Sequence, residues 1–222
     1  MKDLIIVMAH GKIAPLVAAL ECYWKPLGHL VYLTPNNDAL TGRDAIQWSY
    51  GRSEHASPAV NAKVLRAFEA ALDYGAERMG FFEYDAISLV PRLPDFPEER
   101  IGGNAFRETR SDSGFAGTTF THPPIIAHRA ALAKLVDSMR RLGPDVEHGF
   151  WDRYVGYACE RADIPVHNFQ DHDQGFGRNP IDRTNLADAK AAVARGATLI
   201  HGIKDQWTLN EILSARPRQS LH

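Results

Sequence analysis

Leu4-Ile5-Ile6-Val7-Met8-Ala9 is continuously apolar, with no alternation of polar residues. As a strand such a run has no face for water, so it must be covered on both sides, as central strands of helix-layered parallel sheets are. His10-Gly11-Lys12 interrupts it at once, which leaves it too short for a signal-peptide core. Helical spacing then runs from Ile13 to Trp24 and stops at Lys25-Pro26, with Gly28 permitting the turn. His29-Leu30-Val31-Tyr32-Leu33 reads as a second strand, ending in the turn-rich Thr34-Pro35-Asn36-Asn37-Asp38. Ser57-Pro58 is a helix start, serine as N-cap and proline in the first turn. Val60, Val64, Leu65, Phe68 and Leu72 follow at core spacing up to Gly75, and Met79-Gly80-Phe81-Phe82-Glu83-Tyr84 is a third buried strand. This alternation predicts an α/β fold: one domain with an open, mostly parallel sheet flanked by helices. The length of 222 residues suits one such domain better than two.

Beyond Asp85 the pattern turns irregular. Val90-Pro91-Arg92-Leu93-Pro94-Asp95-Phe96-Pro97 cannot continue a helix or a central strand, and Gly102-Gly103 and Ser111-Asp112-Ser113-Gly114 mark further loops. Phe120-Thr121-His122-Pro123-Pro124 leads through Ile125-Ile126-Ala127 into a helix predicted over 129–142. A second helix is predicted over 151–162, a mobile loop over 170–180, and a last helix over 186–195, closed by Gly196. A short strand over 197–200 then delivers His201. Cys22 and Cys159 are too few for a disulfide framework or a four-cysteine zinc site, and read as two reduced, buried thiols ahead of a single bridge between them. A formal net charge of -2 argues against strong non-specific nucleic-acid binding. No run reaches the roughly 20 apolar residues a membrane span needs, so the sequence reads as cytoplasmic.

In open parallel sheets, ligands gather beyond the carboxyl ends of the strands. Ala9, His10, Asn36, Asp38, Glu83 and Asp85 all fall there. Residues two apart on a strand share a side, so Glu83 and Asp85 aim together past the sheet edge. Two carboxylates so placed repel unless a cation or proton intervenes, and Mg²⁺ or Mn²⁺ takes such oxygens together with substrate phosphates. Far downstream, Leu199-Ile200-His201-Gly202-Ile203-Lys204 offers an imidazole suited to Mn²⁺. Gly202 there allows close backbone approach, and Lys204 provides a point charge for phosphate.

These segments resemble the GT-A fold glycosyltransferases. Phe82-Glu83-Tyr84-Asp85 looks like that family's acid-x-acid motif, and His201-Gly202-Ile203-Lys204 is similar to its C-terminal His-Gly-x-Lys segment. Trp151-Asp152-Arg153-Tyr154-Val155-Gly156 resembles its acid-leading helix, with Trp151 where an acid is frequent. The resemblance implies a metal, Mn²⁺ or Mg²⁺, on Asp85 and His201. It places Lys204 on the donor diphosphate, Glu83 near the ribose or a metal-bound water, and Asp152 as the general base of an inverting reaction; from the residues alone Asp152 reads also as the cap of the helix that begins there. It further implies a nucleotide-sugar donor, UDP-sugar favoured; the first two strand ends offer Ala9, His10 and Asn36 or Asp38 around its base and ribose, and Asn61, one turn into its helix, reads either as a donor contact or as a plain helix-surface asparagine. The donor half would span 1–90 and the acceptor half 91–222. The acceptor is a saccharide or other hydroxyl compound. A hydroxymethylated base in DNA fits the chemistry but not the charge.

Three other readings stand beside this one. A metal-dependent hydrolase would use His10, His55 and Asp171-His172-Asp173, although adjacent residues on one loop seldom reach one ion. A nucleotidyltransferase would need a richer loop than His10-Gly11-Lys12-Ile13-Ala14-Pro15. A non-catalytic nucleotide-sugar-binding module would bind donor without turnover.

Overall fold

The computed structural model describes residues 3–9, 14–35, 44–48, 58–107, 117, 119–144, 151–178 and 180–216. Strand β1 (Asp3–Met8) is central, as its unbroken apolar run requires. It pairs in parallel with β2 (His29–Pro35) on one side and β4 (Arg78–Glu83) on the other. With β3 (Ala45–Trp48), β6 (Ile101–Arg107), β7 (Thr119–His128) and β8 (Val166–Asn168) they form a seven-stranded sheet in the order β3-β2-β1-β4-β7-β6-β8. Only β7 runs against the rest, antiparallel to both of its neighbours. The sheet is open and mostly parallel, as predicted.

Alternation along β1 builds two cores. Ile5 and Val7 pack on one face against α1 (Ala14–Trp24), α5 (Leu186–Arg195) and α6 (Gln206–Leu213). Leu4 and Ile6 pack on the other against α2 (Pro58–Asp73), α3 (Arg129–Leu142) and α4 (Trp151–Arg161). Fully burying one such aliphatic side chain contributes roughly 1.5–3 kcal/mol, so both helical layers are needed to cover a strand with no polar face. A smaller sheet, β5 (Ala86–Ser88), β10 (Leu199–His201) and β9 (Gly175–Gly177), adjoins the first core. Its register sets His201 opposite Ala86, one residue after Asp85.

Several elements depart from the expectations. Gly102-Gly103, read as marking a loop, lie inside strand β6. Its glycines are required by packing: a Cβ on Gly102 would lie 2.4 Å from the Phe169 ring, and one on Gly103 2.1 Å from the Thr121 methyl. Pro123 and Pro124 lie within β7, where the β6 register shifts between Gly102 and Asn104, a site at which a missing ladder donor is tolerated. The 170–180 segment contains β9, paired in parallel with β10. The chain does not end its helices at Arg195: α6 follows, with Asp205 capping it by accepting from Thr208 N at 2.7 Å. Both cysteines are free, but only Cys159 is buried; Cys22 is exposed on α1. No helix among the described residues is long and apolar enough to cross a membrane.

Candidate functional site

Met8 pairs with both Leu33 and Glu83, so the ends of β1, β2 and β4 are level and form one polar edge. Ala9 lies on that edge, its N–H donating to Leu33 O at 3.1 Å. His10, Asn36 and Asp38, expected beside it, lie outside the described residues, as does His55. At the end of β4, Glu83 faces the helix-α4 side, where the Trp151 indole donates to its Oε1 at 3.0 Å. Trp151 stands where the resembled helix frequently has an acid. The structure shows that its indole holds one oxygen of Glu83 and leaves Oε2 for His201.

His201 arrives from the second sheet. Its Nε2 is 3.1 Å from Glu83 Oε2 and 3.5 Å from Asp85 Oδ1. The Asp85 carbonyl accepts from both Gly202 and Ile203 N–H at 3.0 Å, which ties the two segments together through the backbone. Lys204 Nζ bonds Asp85 Oδ2 and reaches the Tyr84 hydroxyl at 3.3 Å, sitting 4.9 Å above that ring. Gly202 allows a close backbone approach, as expected. At φ +105° a Cβ there would lie 1.7 Å from the Arg178 carbonyl oxygen, so the close approach is to the chain leaving β9.

Asp85 and His201 are fully buried, and charge so placed must be matched. Burial alone would push both carboxyls up. On Glu83 the hydrogen bond and charge of His201, with Trp151 and Lys204, outweigh it and hold the group below the ordinary value. On Asp85 burial and the neighbouring Glu83 charge prevail over His201 and Lys204, and the group is pushed up. Burial disfavours the cations too, yet Asp85 and Glu83 raise His201, and Asp85 raises Lys204. Two acids and two cationic groups thus share one buried site, and burial ahead of any other cause pushes Asp85 up.

One ligand atom from each of Glu83, Asp85 and His201 falls within 4.8 Å of the others, so this group could hold a metal ion. Asp85 Oδ1 supports the fit, being buried without a hydrogen-bond partner among the described residues. His201 Nδ1 is buried and unpartnered in the same sense. Two carboxylate oxygens and an imidazole nitrogen are a donor set for a divalent cation, with positions left for water or phosphate.

Asp152 lies in the first turn of α4, inside the helix, where a negative charge suits the helix dipole. Its Oδ1 accepts from Arg153 N at 2.9 Å, and its Oδ2 is 3.4 Å from His122 Nε2. A Cβ on Gly156 would lie 1.8 Å from the Thr119 carbonyl oxygen, so this glycine lets α4 press onto β7. His122, uninformative in the sequence, links the elements: its ring is 5.5 Å from that of His201. Burial pushes its pKa down to about 4, with help from the His201 and Arg178 charges. The one signal for it was its place two residues after Phe120, on one face of a strand that two prolines concealed.

Asn61 is not drawn into this group. It is buried in α2, where its amide donates to Pro144 O at 3.1 Å, bracing that helix against the chain after α3. Asp171, His172 and Asp173 do not converge either: His172 stacks on His167 with centroids 4.2 Å apart, and Asp173 pairs with Arg195 at 3.0 Å.

No family model and no curated protein matches this sequence. The likeness to known proteins lies in three dimensions. A solved structure described as a glycosyltransferase involved in the glycosylation of the major capsid of PBCV-1 matches with a TM-score of 0.52 at 13% identity, over 97% of this chain and 99% of that one. The chain has a glycosyltransferase-like fold. The apo form of the glycosyltransferase GlyE from Streptococcus pneumoniae TIGR4 aligns at 10% identity and a TM-score of 0.47, over 96% of this chain and 60% of that one, a likeness too slight to build on.

Proposed function

We propose that this chain is a metal-dependent glycosyltransferase that moves a sugar from a nucleotide-diphosphate donor, UDP-sugar favoured, to an acceptor hydroxyl with inversion. The observation that carries the reading is the convergence of Glu83, Asp85 and His201 on one point beside Lys204, at the carboxyl edge of the sheet. Residues 1–90 form the donor half in this reading, with Ala9 against the nucleoside, and residues 91–222 the acceptor half. Glu83, Asp85 and His201 hold the ion, Mn²⁺ or Mg²⁺. When bound, the ion offsets negative charge building on the departing diphosphate.

The remaining work falls to side chains. Lys204, held by Asp85 and Tyr84, exchanges part of its bond to Asp85 for a diphosphate oxygen and adds a second positive charge there. Trp151 fixes the Glu83 carboxylate. Asp152 takes the proton of the acceptor hydroxyl as that oxygen attacks the sugar from the face opposite the diphosphate, the task of a general base. His122, largely neutral at pH 7, accepts or donates a hydrogen bond beside Asp152 without adding charge.

Calorimetry across UDP, GDP and related nucleoside diphosphates, with and without Mn²⁺, tests this directly. UDP should bind with Mn²⁺ and bind at least tenfold more weakly without it, a difference of about 1.4 kcal/mol. Absence of metal-assisted binding across the series would overturn the assignment.

A further inference from the structure

We infer that Phe106, Phe120 and Arg178 form an acceptor subsite for a sugar ring carrying a carboxylate or a phosphate; this rests on the transferase reading above. Phe106 and Phe120 are partners in the β6–β7 register, as are Asn104 and His122, so all four side chains rise from one face of the sheet. The two phenyl rings stack with centroids 5.6 Å apart and an interplanar angle of 26°. His122 touches both, at 5.0 and 5.2 Å, and leads directly to Asp152 and His201. The ladder therefore runs outward from the point where the acceptor hydroxyl must sit.

Neither phenylalanine joins either hydrophobic core, and both are only half-buried. Flat apolar surface left partly wet beside a polar centre is the usual make-up of a ligand site. A pyranose is amphipathic in the matching way, with C–H bonds on one face and hydroxyls around its rim. Arg178 supplies the charge. Its guanidinium lies 5.5 Å from the Phe106 centroid, its side chain is exposed, and no carboxylate among the described residues pairs with it. Its backbone is anchored, since Arg178 N–H donates to His201 O at 3.4 Å. A planar fork so held suits a carboxylate or a phosphate. A nucleic-acid strand could stack its bases on the same rings, but its repeated phosphates would meet Glu83, Asp85 and Asp152 rather than a basic groove.

The test compares a matched set of acceptors, a neutral methyl hexoside, its uronate and its 6-phosphate, with a single-stranded oligonucleotide as a fourth arm. Loss of donor to water is followed in parallel. The wild type should favour one or both anionic sugars over the neutral one by roughly tenfold in kcat/KM, the ranking of uronate and phosphate identifying the group. Arg178→Gln should erase that ratio, and Arg178→Lys should restore part of it. Phe106→Leu and Phe120→Leu should raise KM for all three sugars. Saturation-transfer NMR without metal should show the anionic sugar touching aromatic protons, with the signal weakened in Arg178→Gln. Donor turnover with no preference among the sugars, a ratio that survives in Arg178→Gln, or preference for the oligonucleotide sinks the subsite alone. Absence of donor turnover with any metal removes the transferase reading, and the acceptor role with it.

Discussion

Two places on this molecule gather acids around a histidine, and they behave in opposite ways. At Glu83, Asp85 and His201 the three residues come from segments 118 positions apart, and their ligand atoms meet within 4.8 Å. At Asp171, His172 and Asp173 the residues are neighbours in sequence, and they disperse. His172 lies flat on His167, while Asp173 reaches out to Arg195 with both partners more than half exposed. Convergence costs desolvation and must be enforced by surrounding structure. Two strands pinned by the Asp85 carbonyl can enforce it, whereas a turn rich in acids relieves the same repulsion by letting each group find water.

The contrast is open to attack by mutation. The largest expected effect is at the converged group: Asp85→Ala or His201→Ala should remove metal-dependent donor turnover, a loss on the order of 10³ or more. His172→Ala and Asp173→Ala should stay within twofold; an equal loss in both clusters would break the contrast. Next, Asp152→Asn should lower transfer by roughly 10²–10⁴ while calorimetry shows donor affinity retained, as expected for a removed base. Third, Mn²⁺ at about a hundred times its dissociation constant should stabilise the wild type by roughly 2.7 kcal/mol in thermal melts, and Asp85→Ala should lose that gain. Fourth, Trp151→Phe deletes one hydrogen bond to Glu83, and metal affinity should fall about tenfold. The smallest effect is structural: Asp173→Ala removes an exposed ion pair and should change stability by about 0.5 kcal/mol or less.

The same distinction explains what could be read from the chain. β1, β2, β4 and the helices that alternate with them were legible because each is a continuous local pattern, apolar run or helical stripe. β5, β8 and β9 are three residues each and exist by pairing, so nothing local announces them. β6 was hidden by glycines whose reason, the rings and methyls of Phe169 and Thr121, lies elsewhere in the sequence. The meeting of Asp85 and His201 was legible through chemistry placed at strand ends. His122 and Trp151 were not, because their importance consists in partners 30 and 68 positions away, Asp152 and Glu83. The Asp205-Gln206-Trp207-Thr208 start of α6 carries a local signal, an aspartate at the N-cap accepting from the Thr208 N–H.

At Gly202 the Arg178 carbonyl is seated where a side chain would stand. The chain leaving β9, which carries the guanidinium, and the end of β10, which carries the imidazole, meet there without a gap, so neither can shift without displacing the other. An Ala at 202 would wedge that seam open, and the penalty should register on both substrates at once, as a joint loss of grip rather than a change in preference for either.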